Sequence, residues 1–271
     1  MADNITLTSG MRANLFSLQQ TTKMMDLTQI RLSSGKKINT ALDDPVNFFK
    51  SKDHYDRASD LAAKKDGMSE AIKTIEAADT GIESVYDLLD QMESLASAAK
   101  TSDNTTDLQN QFNKVRSQIA TLAQDSKYGG NNLMNGDTIS VEFDENGTNT
   151  LSVGSASLST TTAGSIAGAN VAAGDFSSQA SIESSISEID SAVGNLRTEA
   201  QKLASNLSTI SIREEFTENM INTLNTGADR LTLADMNEEG ANMLMLETRQ
   251  ALSTTALSLS SQAAQAVLRL F

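Results

Sequence analysis

Residues Ala241 to Phe271 read ANMLMLETRQALSTTALSLSSQAAQAVLRLF, and no charged side chain lies between Arg249 and Arg269. Apolar residues recur in this stretch at steps of seven, four and three, which places one apolar stripe along a helix. The stripe consists of Met245, Leu252, Ala256, Leu259, Ala263, Ala266 and Leu270. Ser, Thr and Gln interrupt it too often for a membrane span, which needs about twenty mainly apolar residues. The pattern therefore predicts a helix that packs closely against other helices in an assembly.

A second stripe of the same kind lies near the amino terminus and predicts a helix over residues 11–33. It consists of Leu15, Leu18, Thr22, Met25, Gln29 and Leu32. We predict that large apolar residues of both stripes mediate self-assembly: Leu15, Leu18, Met25, Leu32, Met245, Leu252, Leu259, Ala266 and Leu270. The ordinary core of a monomer is the alternative for such stripes. In a lone chain too little surrounds the two helices, so we expect both ends to be disordered in solution.

The composition of the chain favours long helices over a sheet-built enzyme core. Its 271 residues include 1 Pro and 0 Cys, with 4% aromatic residues and a formal net charge of -14. The acidic balance argues against nucleic-acid binding, which needs clustered Lys and Arg. The amino terminus lacks the basic and apolar regions of a Sec signal peptide, and no segment is apolar enough to cross a membrane.

Between the two terminal stripes the sequence predicts three further helices. Asp44 before Pro45 is an N-cap followed by a proline at the first helical position, and it starts a helix that extends to about Lys100. A shorter helix follows over residues 108–122, and an unbroken four-three pattern predicts a long one from Ile182 towards Gly227. The fold class is therefore mainly α, with a long coiled-coil hairpin or bundle formed by both termini.

The middle of the chain has a different pattern. Apolar residues alternate over 139–143 and 151–153 around Asn146-Gly147, which predicts a small β-hairpin. Residues 154–181 are rich in Ser, Thr, Ala and Gly, and we expect loops or short strands on the outer surface there.

We find no pattern for catalysis, a cofactor or a metal. His54 lies beside Asp53 and Asp56, but one histidine with adjacent carboxylates falls short of a metal site. Helix capping accounts for Asp44, and no phosphate-binding or nucleophile motif is present. The sequence therefore predicts no catalytic, cofactor-binding or metal residues, and no enzyme activity.

Two stretches at opposite ends of the chain identify a family. RLSSGKKINTALDDPVNF, from Arg31 to Phe48, resembles the motif R-L-S-S-G-x-x-I-N-x-A-x-D-D of bacterial flagellins. LADMNEEGANMLMLETRQALSTTALSLSSQAAQAVLRLF, at the carboxyl end, resembles the flagellin assembly region in its short alphaproteobacterial form. The resemblance covers about residues 1–136 and 180–271.

The resemblance implies an organisation and a function. Residues 1–43 with 233–271 would form an inner coiled-coil domain, 44–136 with 180–232 a helical rod domain, and 137–179 a short variable region. The chain would self-polymerise into the extracellular filament that bacteria rotate for motility. It would be exported by a type III route without a cleaved Sec signal, with an export chaperone, a filament cap and hook-junction proteins as partners.

The resemblance also predicts weak recognition by a vertebrate receptor. Flagellins detected by that Toll-like receptor carry an R-E-L-A pattern in the first long helix, where this chain has Glu93, Ser94, Leu95 and Ala96. Arg to Glu reverses a charge in that pattern.

Three other readings remain open from the sequence. A hook-filament junction protein shares the terminal helices but does not build the filament. A helical signalling coiled coil would need a membrane span or an output domain, and an enzyme would need a cleft constellation.

Overall fold

Within residues 9–154 and 171–268, which the computed structural model describes, the chain forms five α-helices, one short 3-10 helix (Leu133–Asn135) and one two-stranded antiparallel sheet. The elements in order are α1 (Ser9–Ser34), α2 (Pro45–Ala99), α3 (Thr105–Asp125), β1 (Thr138–Glu142), β2 (Thr150–Gly154), α4 (Gln179–Thr232) and α5 (Met236–Leu268). The predicted mainly α fold class with a small hairpin is confirmed. None of the described helices is long and apolar enough to cross a membrane.

The elements group into two compact units, Met1–Asp56 with Thr223–Phe271 and Arg57–Asn222. The first contains α1, α5, the beginning of α2 and the end of α4. The second contains most of α2 and α4 together with α3 and the sheet. The three regions expected from the sequence divide the chain at other residues, and their role as domains stays a prediction.

The second unit is built around the apolar stripes of its long helices, because each helix turns one apolar side towards the others. The sequence stripes of α2, α3 and α4 meet in one core. Its buried members include Met68, Ile75, Ile82, Leu89, Met92, Phe112, Ile119, Ile182, Ile189, Leu196, Leu203 and Ile210. The predicted long helices are therefore confirmed, including the start of α2 at Pro45.

The hairpin lies against this core. Ile139 pairs with Val153 and Val141 with Leu151, and both valines are buried. The loop between the strands is longer than a two-residue turn, since β1 ends at Glu142 and β2 begins at Thr150. Within this loop, Asp144 Oδ1 accepts the backbone N–H of Asn149 at 2.9 Å.

Residues 171–178 differ from the outer loops or short strands expected over 154–181, whereas residues 155–170 of that stretch lie outside the described residues. Val171 and Phe176 are fully buried in the core, and the rings of Phe112 and Phe176 meet edge to face at 5.2 Å. Gly174 is needed here, since a Cβ would lie 2.6 Å from the Phe112 ring. Two isolated apolar residues in a Ser- and Gly-rich stretch have no period, so the sequence did not predict their burial.

Polar contacts secure the same segment to α3 and α4. Arg116 Nε donates to the Val171 carbonyl at 3.0 Å, and Asn113 Oδ1 accepts the Gly174 N–H at 3.0 Å. The Ala172 N–H donates to Glu188 Oε2 at 2.8 Å. Burial lowers the pKa of Arg116, and the Glu188 carboxylate acts in the opposite direction.

In the first unit, α1 and α5 pack side by side. The end of α1 meets the start of α5 through Arg31 and Glu239, so the two helices run antiparallel. Gly35 ends α1 with a φ of 70°, and its N–H donates to the Arg31 carbonyl at 2.8 Å. This positive φ is a left-handed cap that glycine adopts without strain.

Candidate functional site

The candidate site is the helix pair α1–α5. The side of α1 that faces α5 repeats every seven residues in two rows. One row is Met11, Leu18, Met25 and Leu32, and the other is Asn14, Thr21 and Thr28, all of them buried or half-buried. Three predicted self-assembly residues, Leu18, Met25 and Leu32, therefore lie on the inner side of the pair.

The side of α5 that faces α1 is not the apolar stripe identified from the sequence. It consists of Glu239, Met243, Leu246, Gln250, Ser253, Leu257 and Ser260, which are buried or half-buried. Small side chains such as Ser253 and Ser260 allow two helices to approach closely, so a facing row need not be the most apolar one.

Most of the predicted stripe of α5 instead points away from α1, although Ala256 is half-buried. Leu252 and Leu259 are 67% and 62% exposed, Met245 is 53% exposed, and Ala266 is also exposed. Leu270 lies outside the described residues. On α1, Leu15 is likewise on the exposed side.

Further large apolar side chains extend this outward face. Four of them were not singled out from the sequence: Phe16, Leu27, Ile30 and Leu244. Phe16 is 70% exposed. The available signal was that α1 carries apolar residues on both sides, which a single-stripe reading overlooks. We use the name outer face for nine outward apolar side chains of α1 and α5. They are Leu15, Phe16, Met24, Leu27, Ile30, Leu244, Met245, Leu252 and Leu259.

Backbone hydrogen bonds join the connections that lead into and out of the pair. The Lys37 N–H donates to the Thr232 carbonyl at 2.7 Å, and the Ala234 N–H donates to the Gly35 carbonyl at 3.0 Å. Asp235 caps α5, because its Oδ1 accepts the N–H of Asn237 at 2.9 Å. The two connections thus form one bridged segment at the base of the pair.

Asp43 and Asp44 stabilise the connection between α1 and α2 and the start of α2. Asp43 Oδ2 accepts the backbone N–H groups of Asn39 at 3.0 Å and Thr40 at 2.9 Å. Asp44 Oδ1 accepts the Asn47 N–H at 3.1 Å, which confirms the predicted N-cap. Hydrogen bonds from backbone N–H groups favour the charged carboxylate, so they lower the pKa of Asp43 and of Asp44.

A partly buried ion pair lies where α1 meets α5. Arg31 Nη1 donates to Glu239 Oε1 at 3.0 Å, and the side chains are 25% and 7% exposed. The contact is single rather than bidentate, because Arg31 Nε and Glu239 Oε2 are both buried without a hydrogen-bond partner. Sequence reasoning missed this pair, since no local pattern links two residues separated by 208 positions.

Tyr55, the neighbour of His54 in the chain, makes a side-chain hydrogen bond to α4. Tyr55 Oη donates to Asp229 Oδ1 at 2.5 Å, and this hydrogen bond raises the pKa of Tyr55. Next to it lies a groove of about 210 Å³ whose lining includes Lys36, Lys52 and Tyr55. Among the described residues, no group of three or more His, Asp and Glu side chains is placed to hold a metal ion.

The residues aligned with the receptor motif lie on α2. Glu93 and Ser94 are exposed, whereas Leu95 is partly buried against the core. A binding partner can therefore reach the first two side chains, and weak receptor recognition stays a prediction.

Comparison with known proteins identifies the family. Residues 6–138 match the model of the bacterial flagellin N-terminal helical region, and residues 186–271 match that of the C-terminal helical region. Flagellin FljK of Caulobacter vibrioides is 30% identical over 285 residues, covering 99% of this chain and 98% of that protein. A flagellin of Brucella melitensis is 24% identical over 282 residues, covering 100% of this chain and 99% of that protein.

A crystal structure of Bacillus cereus flagellin is 18% identical, with a TM-score of 0.47 over 56% of this chain and 88% of that chain. The two family models and the FljK match span both terminal segments that form the helix pair. The chain therefore belongs to the bacterial flagellin family.

Proposed function

We propose that the outer face of the α1–α5 pair is the surface through which this flagellin polymerises. Membership of the family makes the chain a structural subunit of the extracellular flagellar filament, which is a polymer of such subunits. One observation carries the proposal to these residues. The inner side of the pair is filled by a mixture of apolar and polar side chains, yet large apolar side chains of both helices remain exposed on the outside.

The exposed apolar side chains supply the driving force. Burying a large apolar side chain contributes about 1.5 to 3 kcal/mol, and several of the outer face are more than half exposed in the single chain. Ordering the two terminal helices opposes this gain through lost conformational entropy. Neighbouring copies that cover the outer face would stabilise the helices at the same time, so folding of the ends and polymerisation would be one event.

The contact must also be open-ended. A filament requires that one patch of a subunit meets a different patch of the next, because self-complementary contacts close into dimers. Each copy offers outward apolar side chains on two different helices, α1 and α5. Contacts of α5 in one copy with α1 in another would satisfy this requirement.

The test is electron microscopy and sedimentation of the purified protein in filament-promoting salt. We expect filaments from the parent chain and none from Leu252→Glu or from a chain that lacks residues 233–271. Ile212→Glu is the control, since Ile212 is 65% exposed on α4 of the other unit. A parent chain that stays monomeric with its central helices intact would contradict the proposal.

We further propose the finer organisation that the family implies. Residues 1–43 with 233–271 would form the inner coiled-coil domain of the filament, 44–136 with 180–232 the rod, and 137–179 the variable region. Export would proceed by the flagellar type III route without a cleaved Sec signal. An export chaperone on the carboxyl-terminal region, a filament cap and hook-junction proteins would be the partners, and the role would be structural rather than enzymatic.

Weak detection by the vertebrate Toll-like receptor is the last part of the proposal. The exposed Glu93 places a negative charge where recognised flagellins have an arginine. We expect Glu93→Arg to increase signalling by the purified monomer in reporter cells, with Glu83→Arg, the same charge reversal at an exposed position of α2 outside the motif, as the control. Potent signalling by the unmodified chain would contradict the proposal.

A further inference from the structure

The starting observation is that the facing rows of the helix pair do not determine how far α1 is shifted along α5. Each row repeats every seven residues, and its members are alike. Met11, Leu18, Met25 and Leu32 alternate two similar side chains, and Asn14 precedes Thr21 and Thr28. A slip by one heptad would therefore place a similar side chain at almost every facing position.

The facing side of α5 also repeats every seven residues, although its members are less alike than those of α1. Leu246, Ser253 and Ser260 are spaced by seven, and so are Met243, Gln250 and Leu257. Small Ser side chains fit opposite any residue of α1. Packing alone thus leaves the register weakly specified.

One contact breaks this repeat. Glu239 begins the heptad row that continues with Leu246, and it is the charged member of that row. In the observed register it meets Arg31, the cation in the last turn of α1. After a slip of one heptad, the carboxylate and the guanidinium would lie about 10 Å out of level along the helix axis.

The geometry of the Arg31–Glu239 ion pair fits a role in selecting the helix register better than a role in stabilising the fold. A buried ion pair loses hydration that its attraction seldom restores in full, and a single polar contact at a helix seam is a known means of fixing register. Arg31 Nε and Glu239 Oε2 remain buried without partners, which adds to the desolvation cost. The pair is therefore a poor source of stability.

Register matters because it decides which outward side chains lie level with one another. With Arg31 opposite Glu239, Leu27 lies level with Leu244 to within about one residue. A slip by one heptad would leave the inner side of the pair almost unchanged but displace the outward side chains of α1 against those of α5. Neighbouring copies would then meet a different surface.

We propose that Arg31 and Glu239 are positioning residues that fix the register of α1 against α5 and so bring the two halves of the outer face level for polymerisation. This inference rests on the proposed function. The backbone bonds between residues 35–38 and 232–234 lie beside the ion pair, and they are the competing source of register.

The test uses cysteine crosslinking, which is selective because the chain contains 0 Cys. Leu18→Cys with Ser253→Cys reports the observed register, since both residues lie about two heptads from the ion pair. Leu18→Cys with Ser260→Cys reports a slip of one heptad. Both serines are half-buried on the same side of α5, so the two cysteine pairs are matched.

Each cysteine pair is introduced into three backgrounds. They are the parent, the apolar variant Arg31→Leu with Glu239→Leu, and the charge swap Arg31→Glu with Glu239→Arg. Pelleted filaments are oxidised, and the ratio of 18–253 to 18–260 crosslinks is measured by mass spectrometry. We expect 18–253 crosslinks to exceed 18–260 crosslinks at least tenfold in the parent. This ratio should fall several-fold in the apolar variant and return to the parental value in the charge swap.

The remaining outcomes separate the inference from the proposed function. An apolar variant with the parental ratio would overturn the inference and assign the register to the backbone bonds. If the apolar variant forms no filaments but the charge swap does, charge complementarity is required, which supports the inference. Failure of both variants would overturn it, whereas failure of the cysteine-free parent to polymerise would reject the proposed function itself.

Discussion

Leu252 offers the most quantitative test of the outer face. Its side chain is 67% exposed in the single chain, and complete burial of a leucine is worth about 1.5 to 3 kcal/mol. If a neighbouring copy buries the exposed two-thirds, Leu252→Ala should weaken subunit addition by roughly 1 to 2 kcal/mol, because most of that contact is lost. A factor of ten in affinity corresponds to about 1.4 kcal/mol, so the critical concentration should rise about 5- to 30-fold.

The assay measures the protein that remains soluble after filaments are sedimented at increasing total concentration. The plateau is the critical concentration, and circular dichroism of the soluble fraction checks that the central helices are intact. Ser258→Ala is the control, because Ser258 is also exposed on α5 but offers little apolar surface. A critical concentration for Leu252→Ala within twofold of the parent would refute the assignment of Leu252 to the assembly surface.

Three further predictions concern the folded chain itself. The pKa values of Asp43 and Asp44 are lowered from 3.8 in the folded state, so the stabilisation they provide should be complete above about pH 4 and lost as pH falls through the lowered values. In thermal unfolding from pH 2 to 6, the melting temperatures of Asp43→Asn and Asp44→Asn should therefore differ from that of the parent only at the upper end of this pH range. Phe112→Ala should lower the free energy of unfolding by roughly 3 to 5 kcal/mol in urea titration, since its buried ring also contacts Phe176, and a loss below 1 kcal/mol would contradict this packing. Gly35→Ala should destabilise the end of α1 by about 1 to 2 kcal/mol because of the positive φ, whereas Gly35→Asn should be milder in the same thermal melts.

The long helices could be predicted from the sequence because their apolar stripes coincide with the buried core. Ile182, Ile189, Leu196 and Leu203 recur at helical spacing and all lie inside the second unit. The start of α2 was equally readable, since the N-cap at Asp44 is a local interaction between neighbouring residues. Sequence patterns therefore predict structure correctly where the apolar side chains of a pattern are buried in the core of the same chain.

The orientation of α5 could not be predicted in the same way. The most apolar stripe, which includes Leu252 and Leu259, faces away from α1, whereas Ser253 and Ser260 face it. A hydrophobic pattern identifies the side of a helix that avoids water, but it does not reveal whether the same chain or another copy covers that side. The Arg31–Glu239 pair was hidden for a different reason, since it depends on two distant segments meeting.

The most direct test of the account is a helical reconstruction of the filament by electron cryomicroscopy at a resolution that reveals side chains. We expect Leu252, Leu259 and Phe16 to be buried against neighbouring copies, while Ser253 and Leu18 remain on the facing sides of the helix pair within each subunit. The account would be contradicted by a filament in which these three apolar side chains face solvent and the subunits meet through other surfaces.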